Sequence, residues 1–218
     1  MAGRIAYYGG IVTNGLVLAL DAAKRDSYPG TGVVWNDISG FQNNGTLTNG
    51  PTYSSSDLGN IVLDGTNDYI KTDYSVNNVY FSIELIVKPN SVSGTRVYVG
   101  KFSGGGADWW IGGNNTTLTY STSGQQITHG TALSTSNFYI INAIMGVSGK
   151  ELYVNGTLVS SAAYQNIAPA GGVVIGAFGD GLGFYSSINV YGFKLYNKGL
   201  TAAEVTQNFN AQRSRYRL

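Results

Sequence analysis

Nine residues, FSIELIVKP from Phe81 to Pro89, place Phe81, Ile83, Leu85 and Val87 in one set of alternate positions and Ser82, Glu84, Ile86 and Lys88 in the other. Period two puts successive side chains on opposite faces of an extended chain, so the run predicts a strand. Pro89 has no N–H to donate and ends the pairing. Similar runs recur, divided by Gly, Asn, Ser and Thr. They predict strands at 16–20, 60–63, 68–71, 79–88, 96–101, 109–112, 116–120, 139–147, 152–154, 157–160, 173–175 and 187–195. Short strands at this spacing imply two stacked antiparallel sheets, an all-β sandwich. In ELYVNGTLV, Asn155-Gly156 suits the positive φ angles of a type I′ turn, which sets Val154 against Thr157 and Tyr153 against Leu158.

The chain closes differently. After the alternating run that ends at Leu195, Thr201 and Glu204 have the spacing of a capping box, and Leu200 and Val205 that of a hydrophobic staple. A helix over 202–212 is predicted. It should lie on the sandwich, because an isolated helix of this length is marginal in water.

The 218 residues suit one large β domain, and no linker or repeat divides them. Only 11% of residues are charged, with thirteen basic against twelve acidic, so the sequence gives no reason to expect nucleic acid as a partner. Cysteine is absent, which excludes disulfides, thiol nucleophiles and cysteine metal clusters. GLVLALDAA is too short an apolar run, and is interrupted by Asp21, for a secretory signal or a membrane span. Synthesis in the cytoplasm without an export signal is expected. The tripeptides starting at Asn44, Asn114, Asn115 and Asn155 match glycosylation acceptors, and in that setting they read as turn chemistry.

DISGFQNNGTLTNGP, DGTNDYI, FSIELIVKP, ELYVNGTLV and KLYNKGLTAAEV, in this order, resemble the laminin G-like branch of the concanavalin A-like jelly rolls from about Gly15 to Phe209. The resemblance implies a jelly-roll β-sandwich with a short C-terminal helix. GLVLALDAAKRDSYPGTGVVWNDISG and YNKGLTAAEVTQNFNAQRSRYRL are further similar to compact, single-domain proteins of this family that tailed bacteriophages encode as virion components. That likeness implies a place on the particle exterior, as a capsid decoration protein on the major capsid protein or as a tail or fibre component.

Glycosidases of this superfamily need two carboxylates roughly 5 to 9.5 Å apart. FSIELIVKP offers only Glu84. Asp64 and Asp68 flank a turn, and the lone His129 has no acid beside it in sequence, so no catalytic residue is assigned and an enzyme is not expected. Family relatives often bind Ca²⁺ through loop oxygens. Asp21, Asp37 and Asn43 are the candidates here, with Asp37 alternatively capping its own turn through Ser39 and Asn43 adopting a left-handed backbone. No cofactor is otherwise required.

Trp109 and Trp110 are adjacent, so on a strand one faces the core and the other the opposite surface. With Asp108 and Asp180 in the flanking glycine-rich loops they form the candidate ligand site, and an exposed indole suits a glycan. Trp35 is expected in the core. The ends suit assembly: an N-terminal arm over 1–14 with Tyr7, Tyr8 and Ile11, the domain over 15–212, and a basic tail over 213–218 with Arg213, Arg215, Tyr216 and Arg217. Arg and Tyr are enriched in interface hot spots. The arms are expected to dock on neighbouring subunits or a shell protein, with a homo-oligomer as the default for repeated sites. Two functions follow: a non-enzymatic capsid decoration protein, or a carbohydrate-binding adhesin module.

Overall fold

A computed structural model describes residues 10–101, 109–115, 117–164, 172–179 and 183–218. Among them run sixteen strands: β1 (Leu16–Asp21), β2 (Val34–Trp35), β3 (Gly45–Thr48), β4 (Thr52–Ser54), β5 (Asn60–Asp64), β6 (Tyr69–Ser75), β7 (Phe81–Pro89), β8 (Thr95–Gly100), β9 (Trp109–Asn114), β10 (Leu118–Thr122), β11 (Gln125–His129), β12 (Tyr139–Gly146), β13 (Gly149–Val154), β14 (Thr157–Ala162), β15 (Gly172–Ile175) and β16 (Ser187–Tyr196). Helix α1 (Ala202–Gln212) and a 3-10 turn (Arg213–Tyr216) follow. The first sheet has the order β14-β13-β12-β7-β16-β5-β4, with β1 also on β16, and the second the order β11-β10-β9-β8-β15-β6-β3-β2. All pairings are antiparallel.

β16 holds the first sheet together. Its first half pairs with β5 and its second half with β1, while its other edge pairs with β7 throughout, across a bulge between Val190 and Gly192. The chain thus returns beside its own first strand. The core lies between the sheets, where Leu18, Ile83, Leu85 and Phe193 meet Tyr98 and Ile175. The turn at Asn155 (φ 50°) and Gly156 (φ 75°) sets Val154 against Thr157 and Tyr153 against Leu158, as the Asn-Gly pair requires. A Cβ on Gly156 would come within 2.8 Å of the Phe209 ring, so glycine here also lets the hairpin meet α1.

The outer face of the first sheet is covered as well. Thr201 caps α1 by accepting the Glu204 N–H, and the Glu204 carboxylate accepts the Thr201 N–H, which completes the predicted capping box. Val205 and Leu200 join Val12, Leu16, Tyr153 and Tyr196 in a second apolar cluster, and Tyr216 joins Ile86, Ile140 and Tyr191 in a third. This third layer explains why Ser82, Glu84 and Ile86 are as buried as the core face of β7.

The C-terminal residues, read as a basic tail, pack against their own domain. Tyr216 is 2% exposed, the Arg215 guanidinium grips both oxygens of Asp21 at 3.0 and 2.9 Å, and the Leu218 N–H bonds back to the Arg213 carbonyl. Apolar contact with Ile86 and Ile140 outweighs the solvation of a basic segment, so Tyr216 is an internal anchor, while Arg213, Ser214 and Arg217 stay exposed. Removing residues 213–218 is therefore expected to destabilise the body. Full burial of one large side chain contributes about 1.5–3 kcal/mol, and each kcal/mol shifts Tm by roughly 2–4 °C at this size. A scan that finds the truncated and full-length chains melting together would contradict this packing.

Candidate ligand-binding face

Alternation along β9 separates the two tryptophans as expected. Trp109 is 0% exposed and packs on Phe81 with ring centroids 5.1 Å apart, whereas Trp110 is half-buried on the outer face of the second sheet. The strand register extends that outer face into a continuous row. Gln126 pairs with Ser121, Ser121 with Trp110, Trp110 with Gly100, Gly100 with Val174, Val174 with Lys71, Lys71 with Thr46 and Thr46 with Val34. Seven spacings of about 4.8 Å make this row roughly 34 Å long. Trp110 stands between glycine and serine, the smallest neighbours a strand can offer. The next row carries Val97, Gly112, Thr119 and Thr128, with the two threonine hydroxyls 3.5 Å apart. Gly112 has no room for a side chain, because a Cβ would lie 2.2 Å from the Arg96 carbonyl oxygen. The result is one half-buried aromatic ring among small and hydroxyl-bearing residues that are themselves buried, with Lys71, Gln126 and Thr128 exposed further along. Asp108, Asp180, Tyr7 and Tyr8 lie outside the described residues.

Of the residues read as calcium ligands, Asp37 and Asn43 lie together, and the carboxylates of Asp37 and Asp21 are already engaged. Asp37 Oδ1 accepts the Ala19 and Ser39 N–H groups at 2.8 Å each, and its Oδ2 accepts the Ser39 hydroxyl at 2.7 Å and the Asn43 N–H at 3.0 Å. Asn43 donates its amide to the Val17 carbonyl at 2.7 Å, and Asp21 holds Arg215. This set binds protein donors and does not fit a cation that needs six or more free oxygens. Asp37 thus caps its turn through Ser39, while the left-handed residue of the loop is Gln42 (φ 61°) rather than Asn43. Among the described residues no group of three or more His, Asp or Glu side chains converges to hold a metal.

The other acids are equally occupied. Asp64 Oδ1 accepts the Thr66 and Asn67 N–H groups of its own turn, which hold its pKa below the ordinary range. Asp68 accepts the Asp64 N–H, and burial raises its pKa. His129 ends the edge strand β11 opposite Leu118, where burial lowers its pKa. Glu84 is 0% exposed beneath α1, bonded to Lys194 Nζ at 2.8 Å, Gln212 Nε2 at 2.8 Å and Asn142 Nδ2 at 3.0 Å. Burial pushes this carboxyl up, but the Lys194 charge and the three hydrogen bonds together outweigh that and hold it below its usual range.

Two clefts open beside the helical layer, at the opposite side from Trp110. One, of about 420 Å³, is lined by Ile11, Asp21, Lys24, Ile38, Lys194 and Arg215, and the other, of about 590 Å³, includes Lys88, Asn137, Phe138 and Arg217. Most of their charge is spent internally: Arg215 on Asp21, Lys194 on Glu84 and Lys88 on Asp57 at 3.6 Å. The contacts around Ile11, Asp21, Arg215 and Tyr216 thus form a structural junction. Sequence reasoning did not reach the Glu84–Lys194–Gln212 network; its one signal was Ile86 among the polar positions of FSIELIVKP.

Residues 64–206, more than half of the chain, match the family described as the concanavalin A-like lectin/glucanases superfamily. The chain belongs to this superfamily, in its laminin G-like branch. No curated protein sequence matches the chain. Among solved structures, Trypanosoma rangeli sialidase in complex with the inhibitor DANA superimposes with a TM-score of 0.70 at 18% identity, over 94% of this chain and 34% of the sialidase. The binding domain of botulinum neurotoxin DC in complex with SialylT gives 0.70 at 12% identity, over 92% of this chain and 52% of that domain. The binding domain of Paraclostridial Mosquitocidal Protein 1 gives 0.68 at 19%, over 91% and 52%. The chain therefore spans a third to a half of these structures, and at these identities the likeness establishes the fold alone.

Proposed function

We propose that this chain is a non-catalytic recognition module that binds a glycan on the outer face of its second sheet, with Trp110 as the stacking platform. The observation that carries the reading is the row itself: a half-buried indole between Gly100 and Ser121, with the exposed Thr128 hydroxyl and Gln126 amide on the same face. An indole face covers the apolar face of a sugar ring while hydroxyls and an amide meet its polar rim, the usual division in a ligand site. Neighbours whose structures include SialylT or DANA support a glycan as the ligand class. The absence of catalysis is supported by Glu84, the one acid on the central strand β7, lying sealed under α1. Expected on a glycan array is saturable binding that falls at least tenfold in Trp110→Ala, with no release of reducing sugar. Binding that survives the substitution unchanged, or none to any glycan, would sink the reading.

A second reading, that the module works as a decoration or tail protein on the outside of a phage particle, rests on the resemblance to compact virion proteins. One feature favours it. Val33, Val34, Ile38 and Phe41 are 59%, 45%, 37% and 64% exposed around the edge strand β2, an apolar patch of the kind that marks protein contact. Co-sedimentation with particles lacking the protein, reduced by Phe41→Asp, is the expected result; failure of the unmodified chain to sediment with them removes the proposal.

A further inference from the structure

Four Asn-Gly pairs punctuate the chain, at 14–15, 44–45, 49–50 and 155–156. A glycine after asparagine leaves its backbone nitrogen unhindered by any Cβ, so this pairing is the one most open to attack on the asparagine's own Cγ. The fold treats the four differently. Asn44 Oδ1 accepts the Asp37 N–H at 2.9 Å, and Gly45 is buried in β3. Asn155 Oδ1 accepts the Ile140 N–H at 2.9 Å, its own N–H bonds the Ile140 carbonyl at 2.8 Å, and Gly156 is wedged against Phe209. Asn49 is exposed, but its amide donates to the Asn67 carbonyl at 3.0 Å. Asn14 is exposed, and its carboxamide has no hydrogen-bond partner among the described residues. Its turn is closed by the Leu16 N–H on the Thr13 carbonyl at 3.1 Å, and the Gly15 N–H has no acceptor among the described residues.

We propose that Asn14 is a site of spontaneous deamidation in the folded protein. The Gly15 nitrogen attacks Asn14 Cγ; the N–Cγ bond forms as Cγ–Nδ2 breaks, and the Gly15 amide proton leaves with the departing ammonia. Water then adds to either carbonyl of the five-membered succinimide and opens it to aspartate or to β-linked isoaspartate. One water enters and one ammonia leaves, with no other reactant. The product matters because of where it lies. Asn14 joins β1 to the strap 10–12, which α1 holds through Gln207 Nε2 on the Gly10 carbonyl at 2.9 Å and the Val12 N–H on Asn208 Oδ1 at 2.8 Å. Gly15 in turn accepts the Asn197 N–H at 2.8 Å, and a Cβ on it would sit 2.9 Å from Lys198 Cγ. An isoaspartate lengthens the backbone by one methylene between these anchors and sets a new carboxylate near Lys198, the partner of Glu204.

The test is incubation of the full chain in warm, mildly alkaline buffer, folded and in urea, followed by peptide mapping with fragmentation that distinguishes aspartate from isoaspartate. Expected in the folded chain is conversion at Asn14 several-fold ahead of Asn49, with Asn44 and Asn155 intact; in urea all four convert. Asn14→Gln should melt with the unmodified chain and gain mass only slowly, through Asn49. An intact Asn14 in the folded chain, conversion led by Asn44 or Asn155, or an Asn14→Gln chain that gains mass as fast as the unmodified one would each overturn the proposal.

Discussion

Lys194→Met is expected to lower the unfolding free energy by about 3–5 kcal/mol, the usual cost of leaving one partner of a buried ion pair without its counter-charge. Glu84 is fully enclosed, and among the described residues Lys194 is the only cation that bonds it, at 2.8 Å. Gln212 and Asn142 can still donate to the carboxylate, which places the effect in that range rather than above it. A double variant, Glu84→Gln with Lys194→Met, should recover much of the loss, since replacing a buried pair by neutral groups of similar volume is often close to neutral. Denaturant unfolding of the two variants decides between an ion pair that costs on breaking and a pair that stabilises outright. The same pair gives a pH dependence. The folded Glu84 pKa is depressed below the unfolded value of about 4.3. Its contribution is therefore fully present above that value and is lost as pH falls toward the lower folded pKa. Acid titration of the unmodified chain should show a stability loss that Glu84→Gln with Lys194→Met lacks.

Trp109→Ala is expected to cost a further class of stability, about 3–5 kcal/mol, because a fully buried indole leaves a cavity that the surrounding strands refill only in part. Trp109 is 0% exposed between the sheets and touches Phe81 from the opposite sheet. Its neighbour gives the contrast: Trp110→Ala, one residue on, removes a half-exposed ring from the outer face and should leave the melting temperature within a few degrees. Equal destabilisation by the two substitutions would contradict the assignment of faces.

Alternation made the sandwich legible. FSIELIVKP, ELYVNGTLV and the Thr201–Glu204 box each encode local geometry, and each strand, turn and cap appears where its residues demand. β2, β3, β4 and β11 escaped because VW, GTLT, TYS and QQITH are too short or too polar to show a pattern, and become strands only by pairing with their neighbours. The candidate site was legible in part. Opposite faces for Trp109 and Trp110 follow from adjacency alone, but the neighbours Gly100, Ser121 and Val174 depend on registers between strands that the sequence does not print. The seats of the C-terminal residues were not legible: composition shows only a basic segment, whereas Tyr216 packs in an apolar cluster and Arg215 on a carboxylate 194 positions away.

The most direct measurement is a titration of the array-selected oligosaccharide into protein labelled at its three tryptophan indoles, read as nitrogen–proton resonances. With Trp35 and Trp109 each 0% exposed, the account predicts a saturable shift of the Trp110 indole alone, with the other two unmoved. A ligand that binds with the Trp110 resonance unperturbed, or that moves the two enclosed indoles instead, would place recognition elsewhere on the molecule and contradict the account.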